Sequence, residues 1–334
     1  MNHHPAPPFH DGETAMQERA GVREKIEAIG QRVIRDHMPA QHRELFGKLP
    51  TLLVGSLDEQ RRPWASILVG RPGFVSTPDE RTLHVGARPL PGDPLAAHLI
   101  AGRPLGLLGL EPHTRRRNRM NGTVILAHAE GFEVSVDQSF GNCPQYIQAR
   151  EPQWLREPAA AVHPSSIGRL DGSLSPAAKA LVRRADTLFI ASASARAAGH
   201  AGAQGVDVSH RGGLPGFVRL DSDAPHGRSV LSVPDYRGNF MFNTLGNIAA
   251  HPHAGLLVID YDSGDLLQLT GRAEIVWDAA ALEDFEGAQR LLRLEVEAGQ
   301  WMPGALPLRW SAPQFAPQFA PQLTGGGRAG EVGA

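Results

Sequence analysis

One stretch of this chain is written twice. WASILVGRPGFV (residues 64–75) and DVSHRGGLPGFV (207–218) align without a gap. Ser66 faces Ser209, Gly70 faces Gly213, Pro72 faces Pro215, and Gly73-Phe74-Val75 returns as Gly216-Phe217-Val218. Further along, GRPLGLLGL (102–110) faces HPHAGLLVI (251–259), and Asn121-Gly122 faces Thr270-Gly271. A unit this long exceeds the roughly 20–50 residues of a solenoid repeat, so it reads as a duplicated domain. The length of 334 residues suits two domains of roughly 150 each. Each copy shows several short apolar strands separated by turns and one internal helix. Antiparallel barrels or sandwiches give that pattern; βαβ winding does not.

Along the chain, residues 1–13 are rich in Pro and His and are expected to form a disordered leader. From Thr14 to Met38, Val22, Ile26, Ile29, Val33 and Ile34 recur at helical spacing until Pro39 stops them. The expected domains are 14–150, including that helix, and 151–310. Within the second, Ser175 and Pro176 mark a helix start, and the repeat is expected to close near Trp277. Residues 311–334 hold APQF repeats and a Gly-rich end, a low-complexity tail.

The net charge of -2 gives no field to recruit nucleic acid or an anionic membrane. No apolar run approaches the ~18 residues of a spanning helix. With Cys143 as the lone cysteine, no intrachain disulfide forms, and a reducing cytoplasm is the expected setting. Cys143 reads either as inert packing or as a thiol beside a ligand. The histidines form no helical metal-binding pair, so no metal site is expected. Arg115-Arg116-Arg117-Asn118-Arg119 is expected to be a solvated hairpin loop.

The second copy is the richer in phosphate-binding chemistry. In YRGNFMFNTLGNIAAHP (236–252) a helix starts near Asn243-Thr244. Its free N–H groups and partial positive charge suit a phosphate dianion. Arg237 offers a charge-assisted contact, and Asn239, Asn243 and Thr244 offer polar groups. The alternative is that Asn243 and Thr244 only cap the helix. Upstream, Ser209-His210-Arg211-Gly212 sets donors beside glycine, where backbone can approach a planar ligand. The first copy has Asp93-Pro94 at the place of Phe242-Asn243. An aspartate there fills an anion site with its own charge, so one competent site is expected, in the second copy.

HRGGLPGFV and YRGNFMFNTLGNIAAHPHAGLLVIDYDSGDLLQLTGRAEI resemble the pyridoxamine 5'-phosphate oxidase-like FMN-binding proteins. MPAQHRELFGKLP, RRPWASILVGRPGFV and FGNCPQYIQ resemble a tandem-barrel subgroup of that family, and the resemblance covers nearly all of 37–310. It implies a mainly β fold, two tandem Greek-key split barrels with peripheral helices. It also implies an FMN-dependent oxidoreductase that takes electrons from a reduced nicotinamide or a reductase partner. A flavin- or haem-binding protein that turns nothing over is the alternative, with His210 as the candidate haem ligand. By position, Ser209, His210, Arg211 and Gly212 match the strand reading the flavin and phosphate edge. Arg237, Asn239, Asn243 and Thr244 match the phosphate region, Gln268 and Thr270 a strand along the ring, and Trp310 a residue closing over it. The family's oxidases carry Arg-Lys where this chain has Asn243-Thr244, and nothing matches their substrate-phosphate residues, which argues against vitamin B6 oxidation. No residue is identified as catalytic. Single-barrel relatives pair as dimers; here the pairing is expected within one chain or in a homodimer.

Overall fold

The computed structural model describes residues 7–158, 167–221, 227–320 and 322. The first copy supplies β1 (Thr51–Leu57), β2 (Pro63–Val69), β3 (Val75–Ser76), β4 (Thr82–Val85), β5 (Pro104–Glu111), β6 (Arg116–His128) and β7 (Gly131–Gly141). Two short strands follow, β8 (Pro152–Trp154) and β9 (Gly168–Leu170). The second copy supplies β10 (Thr187–Ala193), β11 (Val206–Gly212), β12 (Arg219–Asp221), β13 (Val230–Tyr236), β14 (His253–Ile259), β15 (Leu266–Val276) and β16 (Ala288–Met302). β17 (Leu308–Trp310) then pairs with β8.

The sheets run β2-β1-β5-β6-β7-β4-β3 and β11-β10-β14-β15-β16-β13-β12. Replacing each strand by its counterpart converts one order into the other, so the duplication holds strand for strand. Both sheets are antiparallel and remain open at their edges, split rather than closed. Even an irregularity is repeated. The register shifts between Asn121 and Gly122 against β7, and between Thr270 and Gly271 against β16. A Cβ on Gly122 would lie 2.1 Å from the Ser135 carbonyl oxygen, and one on Gly271 2.0 Å from that of Glu295. Glycine is what lets the bulged strand pass that close.

Helices α1 (Asp11–Arg19), α2 (Arg23–Val33) and α3 (Ala40–Lys48) precede the first sheet. α4 (Leu95–His98) belongs to the first copy, and α5 (Pro176–Arg184), α6 (Asn243–Ala250) and α7 (Ala279–Leu282) to the second. The Ser175 hydroxyl accepts from Ala178 N at the start of α5, as its sequence predicts. The helix expected over 14–38 is two helices, broken at Gly21, where φ is +67°. Residues 7–13 are not a disordered leader: Phe9 and His10 are buried, and α1 begins at Asp11. Residues 1–6 lie outside the described part. The second copy does not close near Trp277, because β16 completes its sheet. Residues 311–320 are packed, with Ala316 and Phe319 buried; the rest of the expected tail, apart from Gln322, lies outside the described part.

Among the described residues, three large apolar clusters form the cores, with smaller ones around α1 and α2 and at Leu57. One lies inside each copy. The third lies between them, joining Leu53, Ile67 and Leu108 to Phe189, Val208 and Leu257. The two sheets therefore pair face to face within one chain, about a pseudo-twofold axis. Gly106 on β5 and its counterpart Gly255 on β14 make the close approach. Cβ atoms there would sit 2.6 Å from the Val206 carbonyl oxygen and 2.3 Å from that of Pro63.

Candidate functional site

The pairing leaves a small pocket, about 110 Å³ in volume and open at its mouth, where β11 and α6 of the second copy meet β6 of the first. Of the residues singled out by sequence, Ser209, His210, Arg211, Gly212, Asn239, Asn243 and Thr244 line it. Thr244 Oγ1 donates to Ser209 Oγ at 2.9 Å, which ties the helix start to β11.

Four expected residues are placed elsewhere. The Arg237 side chain is exposed at the rim over the Phe240 ring, while its carbonyl accepts from the Tyr146 hydroxyl. Trp310 is a core anchor, edge-on to Tyr261 at 5.1 Å and part of the central core, so it covers no cavity. Gln268 and Thr270 are fully buried in the first copy's half of the pairing. The reason is the pseudo-twofold. Each site is completed by the other copy's long strand, so Gln268 reaches Ala65 O at 2.9 Å and Ser66 Oγ at 3.2 Å. Its counterpart Arg119 reaches across to Val208 O at 3.2 Å and to Ser209 Oγ.

The Arg115–Arg119 run is thus not a solvated loop. Arg116 opens β6, and strand alternation turns Arg117 and Arg119 into the cavity together. Arg117 Nε donates to the Cys143 carbonyl at 2.8 Å, and Nη1 lies 3.3 Å from His210 Nδ1. A guanidinium only donates, so Nδ1 is the acceptor and the His210 proton sits on Nε2. Burial, with Arg117, Arg211 and Arg150 nearby, holds His210 well below its ordinary value. The ring is neutral and packs edge-on against Phe189. Burial and the neighbouring Arg211 and Arg119 lower Arg117 to about 9, a sign of cations crowded together.

Arg211 Nη2 lies 3.4 Å from Asp235 Oδ1, and Arg290 Nε 3.0 Å from Asp235 Oδ2. Arg119 Nη1 lies 3.0 Å from Asp207 Oδ1. The last two are ion pairs that leave Arg290 Nε and Arg119 Nη1 without a hydrogen bond, and Arg119 Nε has none either. Asn142 Nδ2 is likewise orphaned at the cavity wall. These orphans are all donors. Four guanidinium groups face two carboxylates, so two positive charges remain uncompensated. Orphaned donors around surplus charge fit a phosphate dianion.

Glu13 on α1 sits behind the start of α6, accepting from His10 N at 2.9 Å and from Asn243 Nδ2. Burial, reinforced by Asp207, raises it to about 8. At neutral pH it is a protonated acid that adds no charge to the site. The first copy's helix start differs. Asp93 accepts from Ser66 Oγ at 2.6 Å, Leu95 N at 2.9 Å and Gln268 Nε2 at 3.0 Å. Burial raises Asp93 to about 6 while those bonds hold it down, so it is charged at neutral pH. It fills its own site, as its place in the repeat predicts.

The remaining wall is aromatic. Six non-glycine residues in the described part have left-handed backbone, and Tyr146, Phe240 and Phe242, at φ +63°, +60° and +62°, line the cavity. Bulky residues rarely adopt this region, at a cost of about 1–3 kcal/mol each, and such strain gathers at ligand sites. Cys143 is half-buried at the same wall.

Residues 174–306 match the family model for pyridoxamine 5'-phosphate oxidase. The matched stretch spans the second copy, from α5 through β16. No curated protein matches the chain. Among solved structures, the chain is similar to HupZ of Group A Streptococcus, at 14% identity over 37% of this chain and 90% of that one, with a TM-score of 0.28. It is similar to HutZ, the heme storage protein from Vibrio cholerae, at 14% identity over 40% and 96%, with a TM-score of 0.28. A FAD-binding protein from Mesorhizobium loti matches at 12% identity over 40% and 97%, with a TM-score of 0.25. Among the described residues, no helix is long and apolar enough to cross a membrane.

Proposed function

We propose that the chain binds FMN in the cavity between its two copies and acts as a cytoplasmic oxidoreductase. A reduced nicotinamide or a reductase partner would be the electron donor. The observation that carries this reading is the set of orphaned donors and uncompensated arginines beside the first turn of α6. That turn, with Ser209, Arg211 and Arg290, lies within the segment that matches the family model for pyridoxamine 5'-phosphate oxidase, while Arg117, Arg119 and Asn142 come from the first copy.

The protein's part is binding, orientation and electrostatics; the flavin, when bound, supplies the redox chemistry. Arg119 and the Ser209–Thr244 hydroxyl pair hold the phosphate, with free N–H groups at the α6 start beside them. Arg117 and Arg211 add positive potential, and the neutral His210 keeps Arg117 in place. The aromatic wall receives the ring and keeps water from one of its faces. Because both copies build this one site, a single chain suffices to hold one FMN.

The test is the absorption spectrum of the purified protein, with mass identification of what co-purifies, followed by titration of the stripped protein with FMN. Flavin bands bleached by added NADPH, at one flavin per chain, are expected. A Soret band in their place would replace flavin with haem. No chromophore and no FMN uptake would refute the proposal.

A further inference from the structure

Residues 311–320 belong to a repetitive tail, yet Phe319 is only 3% exposed. Its ring lies 5.7 Å from Tyr146 and 6.0 Å from Tyr236, edge-on to the latter. The two tyrosines stack on each other at 5.3 Å, and both line the cavity. Phe319 therefore packs against a pair of partly buried rings that both line the cavity.

The segment is tied down along its length. Ala149 and Gln314 exchange backbone hydrogen bonds at 2.9 Å in both directions. Arg115 Nη2 donates to Gln314 O at 3.2 Å. Ala316 N donates to Gln148 Oε1 at 2.7 Å, and Gln148 Nε2 to Gly213 O at 2.7 Å, at the end of β11. Tyr146, strained at φ +63°, is held from its hydroxyl by Arg237 O at 3.0 Å. Its carbonyl oxygen packs so closely on Gly212 that a Cβ there would lie 1.9 Å away. This much restraint on one strained tyrosine fixes the angle of a ring, which phosphate binding does not need.

We propose that the tail segment 311–320 determines which planar ring the site accepts, with Phe319 as the positioning residue that sets Tyr146 and Tyr236 as a stacking platform. This rests on the reading of the cavity as a phosphorylated-flavin site. Offset or edge-on aromatic contacts contribute about 0.5–1.5 kcal/mol each beyond their buried area, and losing the platform's alignment removes more than one of them.

The experiment compares FMN with inorganic phosphate on the full chain, by calorimetry and flavin emission. Phe319→Ala should weaken FMN about tenfold and relieve the quenching of bound flavin, with phosphate affinity unchanged. Phe319→Tyr should restore both flavin readouts. FMN bound by Phe319→Ala with wild-type affinity and emission would overturn the proposal. Equal losses for FMN and phosphate would also overturn it, by showing a merely structural tail. A wild-type protein that binds phosphate but not FMN refutes the platform and the flavin together. One that binds neither refutes the phosphate site itself, and this proposal with it.

Discussion

The two helix starts, α4 in the first copy and α6 in the second, meet the same surroundings and end in opposite states. Each receives a serine from the neighbouring strand, Ser66 or Ser209, and a long side chain from the other copy, Gln268 or Arg119. Each also has a buried carboxyl close by. In the first copy that carboxyl is Asp93, inside the site, ionised at neutral pH and capping its own helix. In the second it is Glu13, brought from outside on α1 and protonated at neutral pH. The two starts thus differ in the position and charge of one carboxyl, and also in the helix behind it, 4 residues in α4 against 8 in α6.

The largest way to break the comparison is to titrate Glu13. Its folded value of about 8 stands above the ordinary 4.5, so the folded chain keeps a proton that the unfolded chain has lost. Unfolding free energy then falls as pH rises from about 4.5 to 8, by up to about 5 kcal/mol. Above that window Glu13 faces Asp207 as a second negative charge, with His10, Asn243 and Arg119 around it. Glu13→Gln keeps the shape of the protonated acid and should flatten this fall. Denaturant unfolding at pH 6 and pH 9 checks it; a wild-type chain no weaker at pH 9 than the variant would show that both carboxyls are ionised alike.

Asp93 offers the same test in smaller measure. Its value of about 6 against 3.8 places the fall between those two pH values, at about 3 kcal/mol. Asp93→Asn retains Oδ1 as the acceptor for Ser66 and Leu95, gives up the bond from Gln268 because Nδ2 only donates, and should remove the dependence while leaving FMN stoichiometry at one per chain. A second flavin taken up by that variant would mean that the charge alone kept the first site closed. The expected answer is that it does not, because α4 spans only Leu95–His98 and offers little of a helix's field.

Much of the fold was legible because duplication writes constraints twice. Gly122 and Gly271 repeat because both long strands bulge there, and the strand order follows copy for copy. The half of the site carried on β11 and α6 was legible for the same reason. What escaped the sequence came from across the pairing. The alternation of Arg117 and Arg119 says that they share a face of β6, but not that the face meets Ser209. The repeat aligns Arg119 with Gln268, yet Gln268 was assigned to its own copy's site when the twofold hands it to the other. Glu13 lay in a stretch whose composition suggests a disordered leader. α1 docks through the close packing of Gly12 on Gly246, where a Cβ on Gly12 would lie 2.2 Å from the Gly246 carbonyl oxygen, through Met16 against Phe242 and Leu245, and through bonds from its flank such as Gln17 Nε2 to Met241 O at 3.1 Å. Arg290 had no signal at all, since an arginine in a long alternating strand looks solvent-facing.

The finest test makes the second site carry the first site's residue. Arg119→Gln places an amide where the first copy has Gln268, keeping reach to Val208 O and Ser209 Oγ while removing the charge. Asp207 does not become an orphan, because Asn121 Nδ2 donates to it at 2.7 Å and Asn247 Nδ2 at 2.9 Å. The chain should therefore fold, and the loss should fall on the ligand's phosphate. A charge-assisted hydrogen bond contributes about 1.5–3 kcal/mol, so FMN affinity should drop roughly 10- to 100-fold, with riboflavin, which lacks the phosphate, unaffected. Calorimetry with both ligands reads this directly. If FMN and riboflavin weaken together, Arg119 supports the ring instead, and the phosphate must be carried by Arg117 and Arg211 alone.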